Sequence, residues 1–148
     1  MGSTGIHPQL LADCHYLGGL PACDVLLNRN AAVPWFILVP DTKLPDVLDL
    51  PEAQSRAVVC ECATISAFIK GELGYCKVNF AGLGNVVPQM HLHIIGRSNS
   101  DACWPLPVWG ALPEGEEYQA AVLQEWQDKL VGFAGLTPAV MEVVNRDI

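Results

Sequence analysis

Short apolar runs along the chain predict β-strands. We place strands at residues 23–28, 35–39, 75–80 and 90–95, where Val, Ile, Leu or aromatic residues cluster between Gly, Pro, Asn or Asp. The first two runs are separated only by a short turn around Arg29, and a parallel pair would need a crossover of a dozen or more residues. We therefore expect an antiparallel hairpin at this position.

Two longer segments have the spacing of helices. In residues 50–71 apolar side chains recur at about helical intervals, Asp49 can cap the beginning, and Gly71 suits the end. Residues 117–131 form the second predicted helix, whereas residues 8–14 fit either a short helix or a loop. The order of strands, helix, strands and helix predicts an α+β fold, with an antiparallel sheet of about five strands and two helices.

Length and composition indicate a globular chain. The 148 residues match the usual size of one domain, 51% of them are hydrophobic, and 16% are charged. We assign residues 1–148 to a single domain with a core at about residues 20–100. A segment rich in Trp and Pro and then a helix occupy residues 101–148.

Charge and hydropathy limit the partners of the chain. A net charge of −8 disfavours nucleic acid, which proteins bind through clustered Lys and Arg, although a small phosphorylated molecule needs only local donors. No apolar run reaches the roughly 18 residues of a membrane span, and the N-terminus lacks the pattern of a secretory signal. We expect a cytoplasmic protein with reduced cysteines and with neither a membrane nor a nucleic acid as partner.

The most informative pattern is a pair of histidines in the fourth predicted strand. Side chains two residues apart on a strand point to the same face, so Gln89, His91 and His93 form a polar row. Met90 and Leu92 then point to the other face, toward a core. A solvent-exposed strand face also tolerates polar residues, but such faces carry Thr, Lys or Glu more often than paired imidazoles.

Residues near this row can supply further polar contacts. Gly82 and Gly84 flank a turn just before the strand, where glycine allows a ligand to approach the backbone closely. Asn79 and Asn85 offer neutral amides. Arg97 could supply positive charge to a ligand or be an exposed charge at the end of the strand. Together these residues predict a pocket whose donors converge on the imidazoles.

Residues 84–97 resemble the signature of the histidine-triad (HIT) superfamily, in which Gly and Gln precede three alternating histidines and further apolar residues. Residues 25–40 also resemble the ribose-binding hairpin of that family, especially in its fragile-histidine-triad branch. The resemblance covers roughly residues 20–100. Two positions differ from the signature: Gln89 replaces the first triad histidine, and Asn85 stands where the family usually has Gln.

The resemblance implies a nucleotide hydrolase or nucleotidyl transferase. His91 matches the family's nucleophile, which attacks the α-phosphorus and forms a nucleotidyl-histidine intermediate that water or another acceptor resolves. His93 matches the last triad histidine, which contacts phosphate and leaving-group oxygens. Gln89 would orient the phosphate or a neighbouring imidazole through hydrogen bonds, since an amide neither carries charge nor shuttles protons.

The resemblance also implies a substrate site and a dimer. Asn28 matches the position that binds the ribose hydroxyls, Leu26 would line the base pocket, and Asn85 would contact phosphate. Asn79 and Arg97 are further candidates for substrate binding. Neither a metal nor another cofactor is expected, because preorganised donors can stabilise the developing charge. Members of the family commonly pair through the main helix and a sheet edge, so we expect a homodimer.

Two other functions remain open. The chain could be a nucleotide-binding module that has lost catalysis with the first triad histidine. His91 and His93 could alternatively hold a metal ion, but such a site needs a third histidine or a carboxylate, and the nearest acid downstream is Asp101. Trp104 and Trp109 fit either packing against the sheet or a second subunit, or a lid over a substrate.

Overall fold

The computed structural model describes residues 5–140, which form an antiparallel sheet covered by helices. The strands are β1 Cys14–Gly19, β2 Cys23–Asn28, β3 Trp35–Pro40, β4 Lys77–Gly82, β5 Leu92–Arg97 and β6 Thr137–Pro138. The helices are α1 Pro8–Asp13, α2 Glu52–Gly71 and α3 Ala120–Ala134, with a 3-10 turn at Val47–Asp49. The strands lie in the order β4-β5-β3-β2-β1-β6, and all neighbouring pairs are antiparallel.

The predicted α+β class is confirmed, with one more strand and one more helix than expected. The additional strand next to β2 is β1, whose sequence carries His15 and ends in Gly18 and Gly19 and therefore lacks a strand pattern of its own. It forms because β2 offers its edge, and the register shifts between Tyr16 and Gly18. The prediction of one domain over residues 1–148 stays a prediction, and its ends, residues 1–4 and 141–148, lie outside the described residues.

The predicted elements exist, but several of their ends differ. Strand β2 has the predicted bounds, β3 gains Pro40, and β4 and β5 both begin and end two residues later than predicted. Asp49 does not cap α2, because it lies in the 3-10 turn, and Pro51 takes the N-cap position without a side-chain hydrogen bond. The last helix begins at Ala120 and ends at Ala134, three residues later than predicted at each end. Among residues 5–140, no helix is long and apolar enough to cross a membrane.

The two faces of the sheet are covered by different parts of the chain. On one face α2 and α3 enclose the main core, which includes the fully buried rings of Phe36 and Phe68. On the other face α1 covers Leu26, and residues 98–112 pack over Ile95. Two separate segments therefore pack on this second face, which also carries the histidine pair.

Candidate active site

Strand β5 lies between β3 and β4 and carries the histidine pair. Leu92 and Ile94 point into the core under α2, so the alternation of the strand turns His93 toward the opposite face. His91 immediately precedes the strand, and its ring lies against that of His93, with the ring centroids 4.9 Å apart. The two imidazoles are therefore adjacent, as the sequence predicts, and both are at least nine-tenths buried.

The backbone determines which nitrogen of His91 carries a proton. Nδ1 of His91 lies 2.7 Å from the carbonyl oxygen of Gln89. A carbonyl oxygen can only accept a hydrogen bond, so Nδ1 is the protonated nitrogen. In the neutral ring Nε2 then holds the lone pair, and no side chain among residues 5–140 forms a hydrogen bond with it. This arrangement allows His91 to act as a nucleophile through Nε2.

Two tryptophans hold His93. The indole Nε1–H of Trp35 donates a hydrogen bond to Nδ1 of His93 over 2.9 Å. The ring of Trp109 meets the His93 ring edge to face at a centroid distance of 5.0 Å and also contacts Trp35 at 5.6 Å. Burial, and secondarily the neighbouring His91, lowers the pKa of His93 to about 4. His93 is therefore a neutral imidazole at neutral pH.

A cavity of about 360 Å³ opens beside the two imidazoles. Asn28 and Asn85, two of the predicted substrate residues, line it. Gly84, whose φ of +70° favours glycine, brings the backbone of the turn before β5 to the same cavity. The Oδ1 atom of Asn28 accepts a hydrogen bond from the Asn30 N–H at 2.9 Å, which leaves the amide NH₂ group available to a ligand.

Much of the remaining wall comes from residues that sequence reasoning missed. They are Gln9, Leu10 and Asp13 of α1, Cys14, and the side chains of Trp35 and Ile37. The available signal for α1 was the i, i+4 spacing of Gln9 and Asp13, which places both on one helical face, where the amide of Gln9 donates to the carboxylate of Asp13 at 3.0 Å. Trp109 both packs and lines the cavity, so the two alternatives given for it are compatible.

Gln89 is close to the histidines in sequence, but its side chain is turned to the N-terminal segment. Its Oε1 atom accepts from the N–H of His7 at 2.7 Å, and its Nε2 donates to the carbonyl of Gly5 at 2.8 Å. The side chain does not line the cavity. The orienting contact that the sequence predicts for Gln89 is made by its backbone carbonyl, which holds Nδ1–H of His91.

Arg97 is buried and lies outside the cavity lining, so the predicted exposed charge is wrong, whereas its role in substrate binding stays a prediction. Its side chain is 1% exposed, and Nε and Nη2 contact the two carboxylate oxygens of Asp101 at 2.8 and 3.2 Å. Nη1 donates to Asn79 at 2.9 Å, and Nη2 also donates to the carbonyl of Leu106 at 2.8 Å. The hydrogen-bonded Arg97 lowers the pKa of Asp101 to about 2, so the pair stays ionised. The guanidinium therefore fastens residues 98–112 to the sheet.

Two further predicted substrate residues lie outside the cavity lining. Asn79 is on β4, and its Oδ1 accepts a hydrogen bond from Arg97. Leu26 is fully buried in the apolar cluster under α1, because β2 is a central strand that is covered on both faces. Leu10 and Ile37 of the same cluster reach the cavity surface, whereas Leu26 does not.

The metal alternative lacks a third ligand in the described part of the chain. Across residues 5–140, no group of three or more His, Cys, Asp or Glu side chains is arranged to hold a metal ion. Asp101, the acid nearest to the histidines in the downstream sequence, is bound to Arg97.

Comparison with known proteins places these features in a family context. Residues 10–100 match the family model of the HIT domain. None of the curated proteins compared with the chain matches it.

Three solved histidine triad proteins share the fold. The protein from Bradyrhizobium japonicum is 36% identical, with a TM-score of 0.80 over 86% of this chain and 96% of that one. The protein from Marinobacter aquaeolei is 38% identical, with a TM-score of 0.79 over 86% and 93% of the two chains. The protein from Sinorhizobium meliloti is 29% identical, with a TM-score of 0.81 over 89% and 99%.

Proposed function

The chain belongs to the histidine-triad family, and on that premise we propose that it is a nucleotide hydrolase or nucleotidyl transferase acting at the α-phosphate. The observation that carries this proposal is the arrangement of His91. Its Nδ1 proton is held by the Gln89 carbonyl, and within residues 5–140 no side chain bonds to its Nε2, beside which lies a cavity of about 360 Å³. A lone pair held in this way suits attack on phosphorus.

The reaction proceeds in two displacements. Nε2 of His91 attacks the α-phosphorus, a P–N bond forms, and the bond to the leaving group breaks with its electron pair on the leaving group. Water, or another hydroxyl acceptor, then attacks the same phosphorus and gives up its proton to solvent. The P–N bond breaks, its electron pair returns to Nε2, and the nucleotide is released or transferred. His93 contacts the phosphate or leaving-group oxygens throughout.

The polar residues of the cavity support a nucleotide as the substrate. We assign the ribose hydroxyls to Asn28, whose amide NH₂ is available, and the phosphate to Asn85 beside Gly84. Amides suit both roles because they donate and accept hydrogen bonds without charge. Gln89 supplies no titratable group in place of the first triad histidine, so proton transfer to the leaving group involves solvent or His93.

Trapping of the intermediate tests the proposal. The protein is mixed in a rapid-quench device with a labelled adenylyl phosphoramidate or dinucleoside polyphosphate, and the adduct is located by mass spectrometry. We expect label on His91 in the wild type and neither adduct nor turnover in His91→Ala, which should still bind nucleotide. His15→Gln is the matched control, since this imidazole lies outside the cavity lining, and it should behave as the wild type.

The same experiment separates the enzyme from a catalytically inactive nucleotide-binding module. Binding of nucleotide by the wild type with no adduct on His91 and no turnover would support the binding module instead. A His91→Ala protein that fails to fold would assign a structural role to that imidazole.

We also propose that the protein is a homodimer and that it acts in the cytoplasm. Strand β4 is the outer strand of the sheet and pairs with β5 alone within the described residues, and Phe80 on it is 53% exposed. A paired copy would cover this edge and ring. Sedimentation velocity at micromolar concentration should give twice the mass of the 148-residue chain, and a monomer would count against the dimer.

A further inference from the structure

We propose that Trp35 is a positioning residue that keeps His93 neutral, with its proton on Nε2 and directed at the substrate. This inference rests on the function proposed above. Trp35 is the first residue of β3, and its indole N–H meets Nδ1 of His93 at 2.9 Å. Trp35 lies on a different strand from the two histidines and bonds to one of them.

The direction of this hydrogen bond determines the tautomer of His93. An indole N–H can only donate, so Nδ1 of His93 must be the acceptor and must carry no proton. The single ring proton of the neutral imidazole is therefore on Nε2. Because His91 presents an unprotonated Nε2 and His93 a protonated one, the two adjacent rings offer a nucleophile and a hydrogen-bond donor.

The same contact opposes protonation of His93. Adding a proton to Nδ1 would set two N–H donors against each other across 2.9 Å in a buried place, unless the indole moved away. The other titratable groups that line the cavity are His91, Asp13 and Cys14, and burial raises the pKa of the Cys14 thiol to about 12, so it stays neutral. Trp35 is the residue that bonds directly to the nitrogen where the proton would be added.

Trp109 restricts the movement of both His93 and Trp35. Its ring lies edge to face against both His93 and Trp35, so rotation of the imidazole or withdrawal of the indole would break an aromatic contact. Trp109 belongs to the segment fastened by Arg97, whose Nη2 donates to the carbonyl of Leu106. The position of His93 is thus defined from β3 and from residues 98–112 together.

In the reaction, the donor on Nε2 of His93 would bond to a phosphate or leaving-group oxygen as negative charge develops there. A proton on Nδ1 instead would leave that oxygen facing a lone pair. Trp35 itself does not touch the reacting atoms, and its contribution is transmitted through the tautomer and the protonation state of His93.

Nitrogen-15 NMR of histidine-labelled protein tests the inference without any substrate. In the wild type we expect the His93 signals of an imidazole with a proton on Nε2 only, unchanged between pH 8 and pH 6. In Trp35→Phe, which keeps an aromatic ring but removes the donor, the titration of His93 should move up by about one pH unit or more. Trp109→Phe, which leaves the Trp35 hydrogen bond intact, is the matched control and should shift it less.

The kinetic readout follows the same variants. At neutral pH, kcat/KM of Trp35→Phe should fall roughly ten-fold, part of the 10²–10⁴-fold that a positioned acid or donor supplies. The acidic limb of its pH profile should move up by the same amount as the NMR titration.

Two results would overturn the inference: a proton on Nδ1 of His93 in the wild type, or a Trp35→Phe titration identical to that of the wild type. If Trp35→Phe does not fold, the wild-type tautomer still decides. If the protein turns over no nucleotide, the proposed function fails, while the NMR result still tests Trp35.

Discussion

The cavity beside the histidines has two walls, and each is held by a side chain from residues 89–97, one partly exposed and one buried. The N-terminal wall, residues 5–13, is held by the partly exposed amide of Gln89 through the backbone of Gly5 and His7. The C-terminal wall, residues 98–112, is held by the buried guanidinium of Arg97. The catalytic candidates lie between these two anchors in the sequence, so residues 89–97 position both the chemistry and its surroundings.

This difference determines how much stability is lost when the contacts of each wall are removed. A charged pair that is sealed from water loses far more when one partner is removed than when both are absent, because the remaining charge stays buried. Hydrogen bonds near the surface can be replaced by water at small cost. We therefore expect the contacts of the C-terminal wall to contribute much more to the free energy of unfolding than those of the N-terminal wall, which should affect mainly the binding of substrate.

The largest expected effect is the removal of the Arg97 guanidinium. Arg97→Met keeps much of the volume and leaves Asp101 buried, 3% exposed, without its partner. Removing one member of a buried pair costs about 3–5 kcal/mol, which we expect as the loss in the free energy of unfolding measured by urea titration. Trp109 fluorescence should also change, since the segment that carries it is released.

The chain provides a matched control for this substitution. Arg56 and Glu52 form an ion pair with the same i, i+4 spacing, but their side chains are 77% and 79% exposed. Arg56→Met should change the free energy of unfolding by less than about 1 kcal/mol. Equal effects of Arg97→Met and Arg56→Met would contradict the difference between the two walls.

Lowering the pH should reduce the free energy of unfolding in two separate steps. The folded pKa of His93, about 4, lies below the ordinary value of 6.5, so the unfolded chain binds this proton first as the pH falls. The stability contributed by neutral His93 is present above pH 6.5 and is lost between 6.5 and about 4, at most about 3 kcal/mol. Asp101 has a folded pKa of about 2 against 3.8, so its contribution is present above pH 3.8 and is lost as the pH falls toward 2.

Urea titrations at a series of pH values measure both steps. His93→Gln should reduce the slope between pH 6.5 and 4 and leave the lower step in place. Gln89→Ala should leave both steps unchanged, because an amide has no titration in this range. A full slope between pH 6.5 and 4 in His93→Gln would assign that step to another group.

The polar strand face could be predicted from the sequence, whereas its contacts could not. Alternation along a strand is a local property, so the placement of His91 and His93 on one face follows from their spacing alone. The contact of Trp35 depends on the register of β3 against β5, which sets Trp35 opposite Ile95 and Ile37 opposite His93. No local pattern specifies that register, and Trp35 was therefore missed.

Arg97 and Gln89 show how the same limit affects polar residues. A charge at the end of a strand is usually solvated, and the burial of Arg97 depends on Asp101 and Leu106 folding back over it. From the sequence alone, a glutamine in the histidine row fits a contact with substrate or imidazole. Its contacts with the N-terminal segment are visible only in the structure. The role of Gln89 depends on the N-terminal segment, which is far away in the sequence, and the role of Arg97 depends on how the loop that follows β5 folds back. In contrast, α2 and β2 are predictable because their apolar spacing is strong.

The smallest expected effect is also the sharpest test of Gln89. Gln89→Ala removes two hydrogen bonds from a partly exposed site, which should lower the free energy of unfolding by about 1–2 kcal/mol. The backbone carbonyl that holds His91 is kept, so kcat should change little, while KM should rise several-fold because α1 and its Gln9 and Asp13 lose their anchor.

Gln54→Ala on α2, which removes one exposed side-chain bond to the Asp41 carbonyl, controls for a general loss of stability and should leave KM unchanged. If kcat instead falls and KM stays constant in Gln89→Ala, the side chain of Gln89 acts on the transition state, and the N-terminal wall must then release it when substrate binds.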